Sequence, residues 1–150
     1  MPEVRITKIF FFESAHALAG YDGKCRNIHG HSYQLWVTVS GKIRNESGHP
    51  KDGMLMDFGD LKRIVKQQVV DVFDHALVIN AHSQQKHLGE TIGKSGYKVI
   101  LTGYQPTSEM MLVDFARRIG RELPEGVKLH SLRLYETATS FAEWHASDNG

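Results

Sequence analysis

The sequence contains almost no cysteine, since Cys25 is the only one among its 150 residues. A single thiol cannot form a disulfide within the chain, and this sparse usage fits the reducing interior of a cell. We therefore expect a cytoplasmic protein without internal disulfides.

The sequence also lacks an excess of charge of either sign, with a formal net charge of +1. General binding to nucleic acid or to acidic membranes relies on positive charge, so neither partner is expected. The apolar run Ile9–Phe12 is too short for a signal peptide or a membrane span. These absences leave a small molecule as the expected partner, and a local basic pocket would allow that molecule to be phosphorylated.

Alternating and helical patterns organise the whole chain as one expected domain, 1–150. Alternation predicts strands over residues 4–15, 32–44, 127–137 and 141–145. Helical spacing predicts one helix after a cap at Asp57 or Asp60, and a second after a cap at Thr107 or Ser108.

Two segments lack a clear period. Residues 81–105 are predicted to form a long loop with one short strand near Val99–Leu101, and residues 146–150 a flexible tail. The order of elements indicates an α+β fold: an antiparallel four-stranded sheet with two helices on one face. Two long exposed sheet edges also favour an oligomer.

Histidines occur in a pattern that suits a metal. His29 and His31 are two residues apart on a predicted extended segment, which places both imidazoles on the same side. His16 lies at the end of the probable partner strand. Three imidazoles favour zinc and leave a fourth coordination position open, as in catalytic zinc sites.

Cys25 precedes His29 by four positions, and its role is open on this evidence. It could be the fourth ligand of a closed structural zinc site, or an inert buried thiol. It could equally be a general base or nucleophile, because a nearby metal lowers the pKa of a thiol.

Three acidic positions have both structural and chemical interpretations. Asp74 is followed by His75, and a carboxylate beside an imidazole can orient it for proton transfer, although such pairs often occur in solvated turns. Glu109 fits the favourable charge of a helix start. Glu136 falls in an apolar strand row, where it could receive two parallel donors from a guanidine-like ring.

The residues together resemble the 6-pyruvoyltetrahydropterin synthase and 6-carboxytetrahydropterin synthase family. The matching motifs are, in chain order, Phe12-Glu13-Ser14-Ala15-His16, Cys25 with His29-Gly30-His31, Met56-Asp57-Phe58, Asp74-His75, Pro106-Thr107-Ser108-Glu109 and Tyr135-Glu136-Thr137. They cover nearly the whole chain, and their common order makes the resemblance specific.

The resemblance implies the tunnelling fold, assembled into an oligomeric barrel in which two trimers stack into a hexamer with active sites at subunit interfaces. It implies that His16, His29 and His31 bind Zn²⁺, and that Cys25, Asp74 and His75 are catalytic. It further implies that Glu136 anchors the pterin ring, helped by Thr107 and Glu109. The implied substrate is 7,8-dihydroneopterin triphosphate.

The short spacing between Cys25 and His29 resembles the bacterial carboxy branch, a carbon–carbon lyase of queuosine and deazapurine biosynthesis that releases acetaldehyde and triphosphate. The pyruvoyl branch, a carbon–oxygen lyase, is the nearest alternative. A non-catalytic, zinc-stabilised oligomeric domain is the alternative of another class. Residues 81–105 are longer than the corresponding connection in compact bacterial enzymes, and they could alter the rim of the pocket.

Overall fold

The computed structural model describes all residues, Met1–Gly150, and contains one six-stranded mixed sheet. The strands are β1 (Glu3–His16), β2 (His29–Lys42), β3 (Ala76–Asn80), β4 (Val99–Thr102), β5 (Val127–Thr137) and β6 (Ser140–His145). The helices are α1 (Phe58–Val65), which continues through a π-helical turn (Lys66–Val70) into α2 (Asp71–Phe73), then α3 (Lys86–Lys94) and α4 (Ser108–Gly120). The strands lie in the order β4-β3-β1-β2-β5-β6.

Four strands form the antiparallel part of the sheet that the sequence predicts. β1 pairs along its whole length with β2, β2 pairs with β5, and β5 pairs with β6. The predicted helix caps are also present: Asp57 accepts a hydrogen bond from the backbone N–H of Gly59, and Thr107 accepts one from Met110. The elements that are predicted correctly are therefore those with a clear local signal, which is alternation for the strands and a cap for the helices.

The prediction of four strands and two helices is wrong for the segment between Ala76 and Thr102. β3 runs parallel to β1, and β4 runs parallel to β3, so the sheet is mixed. The predicted loop over residues 81–105 contains α3 as well as the short strand β4.

Glycine explains why α3 escapes detection. Gly89 is its only buried residue, and a Cβ there would lie 3.1 Å from Leu101 and 3.3 Å from Ile79. The helix packs closely through a position without a side chain, and its only large apolar residues are Leu88 and Ile92, so its apolar stripe is one turn long. At the other end of the chain, the expected tail contains a 3₁₀ turn over Ala146–Asp148.

The hydrophobic core lies between one face of the sheet and the helices α1, α2 and α4. Phe115 of α4 is fully buried and packs edge-on against Phe73 of α2, with ring centres 5.0 Å apart, and against Phe12 of β1 at 6.1 Å. No helix has both the length and the apolar character needed to cross a membrane.

The opposite face of the sheet carries exposed aromatic side chains. Ile9 and Phe11 of β1 are 41% and 68% exposed. Farther along the same face, the Arg133 guanidinium lies 5.0 Å from the ring centre of Trp36 and 4.5 Å from that of Phe141. On this side α3 packs against Ile79 and Leu101 of β3 and β4. The rest of the face mixes exposed apolar side chains with charged and polar ones.

Candidate active site

Three histidines converge where β1 ends and β2 begins. His16 is the last residue of β1 and lies directly opposite His29, the first residue of β2. His31 follows two positions later and points to the same side. One potential ligand atom from each ring lies within 4.8 Å of the others, which is close enough to bind a metal. The structure thus brings together the three residues that the sequence singles out.

Backbone carbonyls fix two of these rings. His16 Nδ1 lies 2.6 Å from the carbonyl oxygen of Pro106, and His29 Nδ1 lies 2.7 Å from that of Asn27. Because a carbonyl only accepts, each Nδ1 must carry the proton, and each Nε2 then presents a lone pair. The two Nε2 atoms are 3.0 Å apart, and neither has a proton to share. A cation is the group that satisfies such a pair.

The surroundings of His16 and His31 favour the neutral form of these two imidazoles. Burial lowers the pKa of His16 below its usual value; the hydrogen bond to Pro106 opposes this shift, and nearby His29 adds to it. Burial also lowers the pKa of His31, with Glu136 opposing the shift. His31 Nε2 is buried without a hydrogen-bond partner. Neutral rings are the form that binds a metal, so the donor set fits one.

Glu136 lies beside the histidines because its strand is irregular. A β-bulge between Tyr135 and Thr137 interrupts the pairing of β5 with β6 at this residue. Its Oε1 lies 3.5 Å from His16 Nε2 and 3.4 Å from His31 Nε2, and its side chain is one-third exposed. The carboxylate is not a member of the three-residue ligand group.

Glu136 also lines a cavity of about 360 Å³, together with Glu109 and Ser108. The Ser108 hydroxyl is buried and has no hydrogen-bond partner, so it is a candidate that the sequence reading used only as a helix cap. Thr107 does not line this cavity, because its hydroxyl caps α4 at 3.2 Å from the N–H of Met110. Of the two predicted helpers of Glu136, the structure therefore places only Glu109 beside it.

Cys25 lies in a short 3₁₀ turn, Lys24–Arg26, and is half-buried. Its sulfur is not part of the group of close ligand atoms. The carbonyl oxygen of Cys25 accepts a hydrogen bond at 2.9 Å from the N–H of Leu18, two residues after His16. Burial raises the pKa of the Tyr33 hydroxyl, and the charge of Glu136 raises it further. The Tyr33 ring in turn lies 5.5 Å from that of His31. Cys25 is thus near the histidine cluster and separate from the ligand set.

Asp74 and His75 contact each other through an unusual backbone conformation. His75 has a φ of 58°, in the left-handed region that non-glycine residues rarely adopt. This turn brings its Nδ1 to 3.0 Å from Asp74 Oδ2, while Asp74 Oδ1 accepts a hydrogen bond from the N–H of Glu13 at 2.8 Å. The Glu13 hydrogen bond, together with that of His75, lowers the pKa of Asp74 below its usual value. The carboxylate is therefore charged and fixed, as an orienting group requires.

His75 and His31 line the same cavity of about 520 Å³. The cavity is also lined by Ile92, Tyr97 and Lys98. These residues belong to segment 81–105, which we expected could alter the rim of the pocket. Cys25 is not among the lining residues of this cavity. One chain therefore brings His31 of the cluster and His75 of the pair to a shared cavity, with Cys25 outside it.

Sequence comparison relates the chain to known tetrahydropterin synthases. The family model for 6-pyruvoyl tetrahydropterin synthase matches residues 5–147. The chain is 36% identical to the 6-carboxy-5,6,7,8-tetrahydropterin synthase of Haemophilus influenzae, covering 93% of this chain and 97% of that protein. It is 32% identical to the Synechocystis protein of the same name, covering 93% and 91%.

Solved structures share the fold. The Caenorhabditis elegans 6-pyruvoyl tetrahydropterin synthase superposes with a TM-score of 0.67 at 22% identity, covering 97% of each chain. An uncharacterized protein from Wolinella succinogenes superposes with a TM-score of 0.80 at 19% identity, covering 97% of this chain and 99% of the other.

Proposed function

The chain belongs to the 6-pyruvoyl tetrahydropterin synthase family, and we propose that it is a 6-carboxy-5,6,7,8-tetrahydropterin synthase. Its reaction is then a carbon–carbon lyase reaction that converts 7,8-dihydroneopterin triphosphate and one water into 6-carboxytetrahydropterin, acetaldehyde and triphosphate. The observation that carries this proposal is the convergence of His16, His29 and His31 without Cys25. Three protein ligands leave an open position, and the thiol stays available for chemistry.

We propose zinc as the metal, because imidazole nitrogens suit this ion and both fixed rings present Nε2 lone pairs. When bound, zinc supplies a Lewis acid that makes protons near the substrate's side-chain hydroxyls easier to remove. Glu136 lies next to the ligand atoms and also faces the cavity with Glu109 and Ser108. Its two oxygens suit the paired N–H donors of a pterin ring, which would fix the orientation of the reacting carbons.

Cys25 and His75 are the proposed proton-transfer groups. As a thiolate, Cys25 takes a proton on one side of the substrate side chain. His75 transfers a proton on the other side, with its Nδ1–H held by the charged carboxylate of Asp74. Removing protons from the side chain permits loss of triphosphate and then cleavage of its carbon–carbon bond.

We propose that the complete site forms between copies of the chain, in a hexamer built as two stacked trimers. His75 supports this, because 77% of its side chain is exposed while its partner Asp74 is held by β1. Exposed aromatic side chains on the sheet support it too, since Phe11 is 68% and Phe141 48% exposed. We place the reaction in the cytoplasm, which agrees with the single cysteine. We place it in queuosine or related deazapurine biosynthesis, as the resemblance to the carboxy branch implies.

The decisive experiment is to incubate zinc-loaded protein with 7,8-dihydroneopterin triphosphate and to identify the pterin product by mass spectrometry. The expected products are 6-carboxytetrahydropterin and acetaldehyde. A 6-pyruvoyl product would assign the chain to the pyruvoyl activity. No turnover by folded, metal-loaded protein would favour the non-catalytic zinc-stabilised domain.

Replacing Cys25 separates the catalytic interpretation from the ligand interpretation. In Cys25→Ala, we expect zinc content and thermal stability to stay near wild type while turnover falls by about 10²-fold or more, because a proton-transfer group is lost. Metal analysis of the purified variant provides the check. Loss of zinc together with activity would instead identify Cys25 as a ligand.

A further inference from the structure

Residues 103–107 connect β4 to α4, and hydrogen bonds hold this connection at its β4 end. Thr102 is buried, and its hydroxyl donates to the carbonyl oxygen of Tyr104 at 2.6 Å. The Tyr104 hydroxyl then donates to Asp114 Oδ2 of α4 at 2.5 Å. This short connection is therefore tied to the helix that follows it.

Asp114 is a firm acceptor for Tyr104. It is 5% exposed, and its other oxygen receives hydrogen bonds at 2.9 Å from Arg117 Nη2 and from Arg118 Nε. Burial alone would raise the pKa of this carboxyl, but the three donors outweigh it and hold the pKa below its usual value. A buried carboxylate with three partners holds its position, because moving it would leave charges unpaired.

The other end of the connection contacts the segment that follows β1. Gln105 Nε2 donates to the carbonyl oxygen of Ala19 at 2.8 Å, and the carbonyl oxygen of Pro106 accepts from His16 Nδ1 at 2.6 Å. These two hydrogen bonds lie side by side along both segments. A shift of the connection would therefore move the carbonyl that sets the tautomer of His16.

We propose that Tyr104 and Gln105 are positioning residues for the metal centre. They hold the Pro106 carbonyl in place, and that carbonyl keeps the proton of His16 on Nδ1 and its Nε2 lone pair toward the ligand group. Neither residue contacts the metal or the substrate. The inference rests on the metal role of His16 in the proposed function, and it assigns that role's support to residues about 90 positions away in the sequence.

The test compares zinc affinity among three variants by competition with a chromophoric chelator. Tyr104→Phe removes one hydroxyl and leaves Asp114 paired with both arginines. Gln105→Met removes the amide donor with little change in size. Arg117→Ala is the matched control, because the Arg117 side chain is 69% exposed. Its loss leaves Asp114 bonded to Tyr104 and to the more buried Arg118, so the anchor of the connection stays in place.

We expect both positioning variants to bind zinc about 10- to 100-fold more weakly, the range for lost support of a metal ligand. In the metal-free proteins, ¹⁵N shifts of the His16 ring should show loss of the single Nδ1–H tautomer. Arg117→Ala should keep wild-type affinity and shifts. If Tyr104→Phe does not fold, Gln105→Met decides the question alone.

Two results would overturn the proposal. One is wild-type zinc affinity and His16 shifts in the folded positioning variants. The other is an equal loss of affinity in Arg117→Ala, which would mean that affinity merely follows stability. Because zinc binding is measured without substrate, either result leaves the proposed reaction to be decided by its own product assay.

Discussion

The histidine cluster and the Asp74–His75 pair use the same imidazole group in two different ways. In the cluster, His16 and His29 donate Nδ1–H to neutral backbone carbonyls, and His16 is 1% exposed. In the pair, His75 Nδ1 faces a charged carboxylate, and 77% of the side chain is exposed. A neutral partner in a buried site favours a neutral ring, which binds a metal. A carboxylate partner at the surface orients an accessible ring for proton transfer.

The largest expected effect breaks the cluster. In His29→Ala, zinc affinity should fall by more than about 100-fold, because losing a ligand costs more than losing its support. Turnover should disappear with the metal. Inductively coupled plasma analysis of purified protein measures the zinc, with His82→Ala, an exposed histidine outside the cluster, as the control. Full zinc retention in His29→Ala would show that the cluster is not the metal centre.

The next effect breaks the pair. His75→Asn should lower turnover by about 10²–10⁴-fold, the usual contribution of a positioned acid or base. Asparagine is the suitable replacement because it tolerates the left-handed backbone at this residue. Zinc content should not change, in contrast to His29→Ala. A variant that lost zinc would show that the two regions do not act separately.

A smaller effect is expected on the pH dependence of stability, which distinguishes the buried histidines of the cluster from exposed ones. The folded-state pKa values of His16 and His31 lie below the usual 6.5. The unfolded chain therefore binds these protons more readily, and the metal-free protein should lose stability as the pH falls through about 6.5, with no such loss above it. Urea unfolding of metal-free protein at about pH 7.5 and pH 5.5 gives the measurement. In His16→Gln the pH dependence should be weaker; an unchanged dependence would assign it to other groups.

The smallest expected effect concerns Thr107, which the resemblance places near the pterin and the structure places in a helix cap. Thr107→Ala should lower the free energy of unfolding by about 1 kcal/mol, the usual cost of a lost N-cap. Thr107→Ser should restore it. Thermal unfolding with substrate titration separates the two roles, since a change in KM without a change in stability would support direct contact with substrate.

The cluster of three histidines could be predicted from the sequence because it depends on local geometry. Two histidines on one strand share a side, and His16 follows a strand that pairs with it by simple antiparallel register. The antiparallel strands and both capped helices could be predicted for the same reason, because local sequence patterns and pairing between neighbouring strands determine them.

The rest depends on contacts that no local pattern carries. β3 is a five-residue strand whose burial does not alternate, and α3 packs through Gly89, so neither has a clear period. Pro106 supports His16 only because β4 brings the chain back beside the end of β1 through β3. The contact of His75 with Asp74 needs a backbone angle that the residue type disfavours.

The mixed sheet has a consequence for symmetry. One margin of the sheet is β4, reached by parallel pairing, and the other is β6, reached by antiparallel pairing, so the two margins are unlike. Two copies that join β4 to β4, or β6 to β6, form a closed two-fold pair. Copies that join β4 of one to β6 of the next meet head to tail, and such contacts either close into a ring or continue as a filament. In a ring of that kind the twist of the sheet, β3 and β4 included, would set how many copies complete the circle.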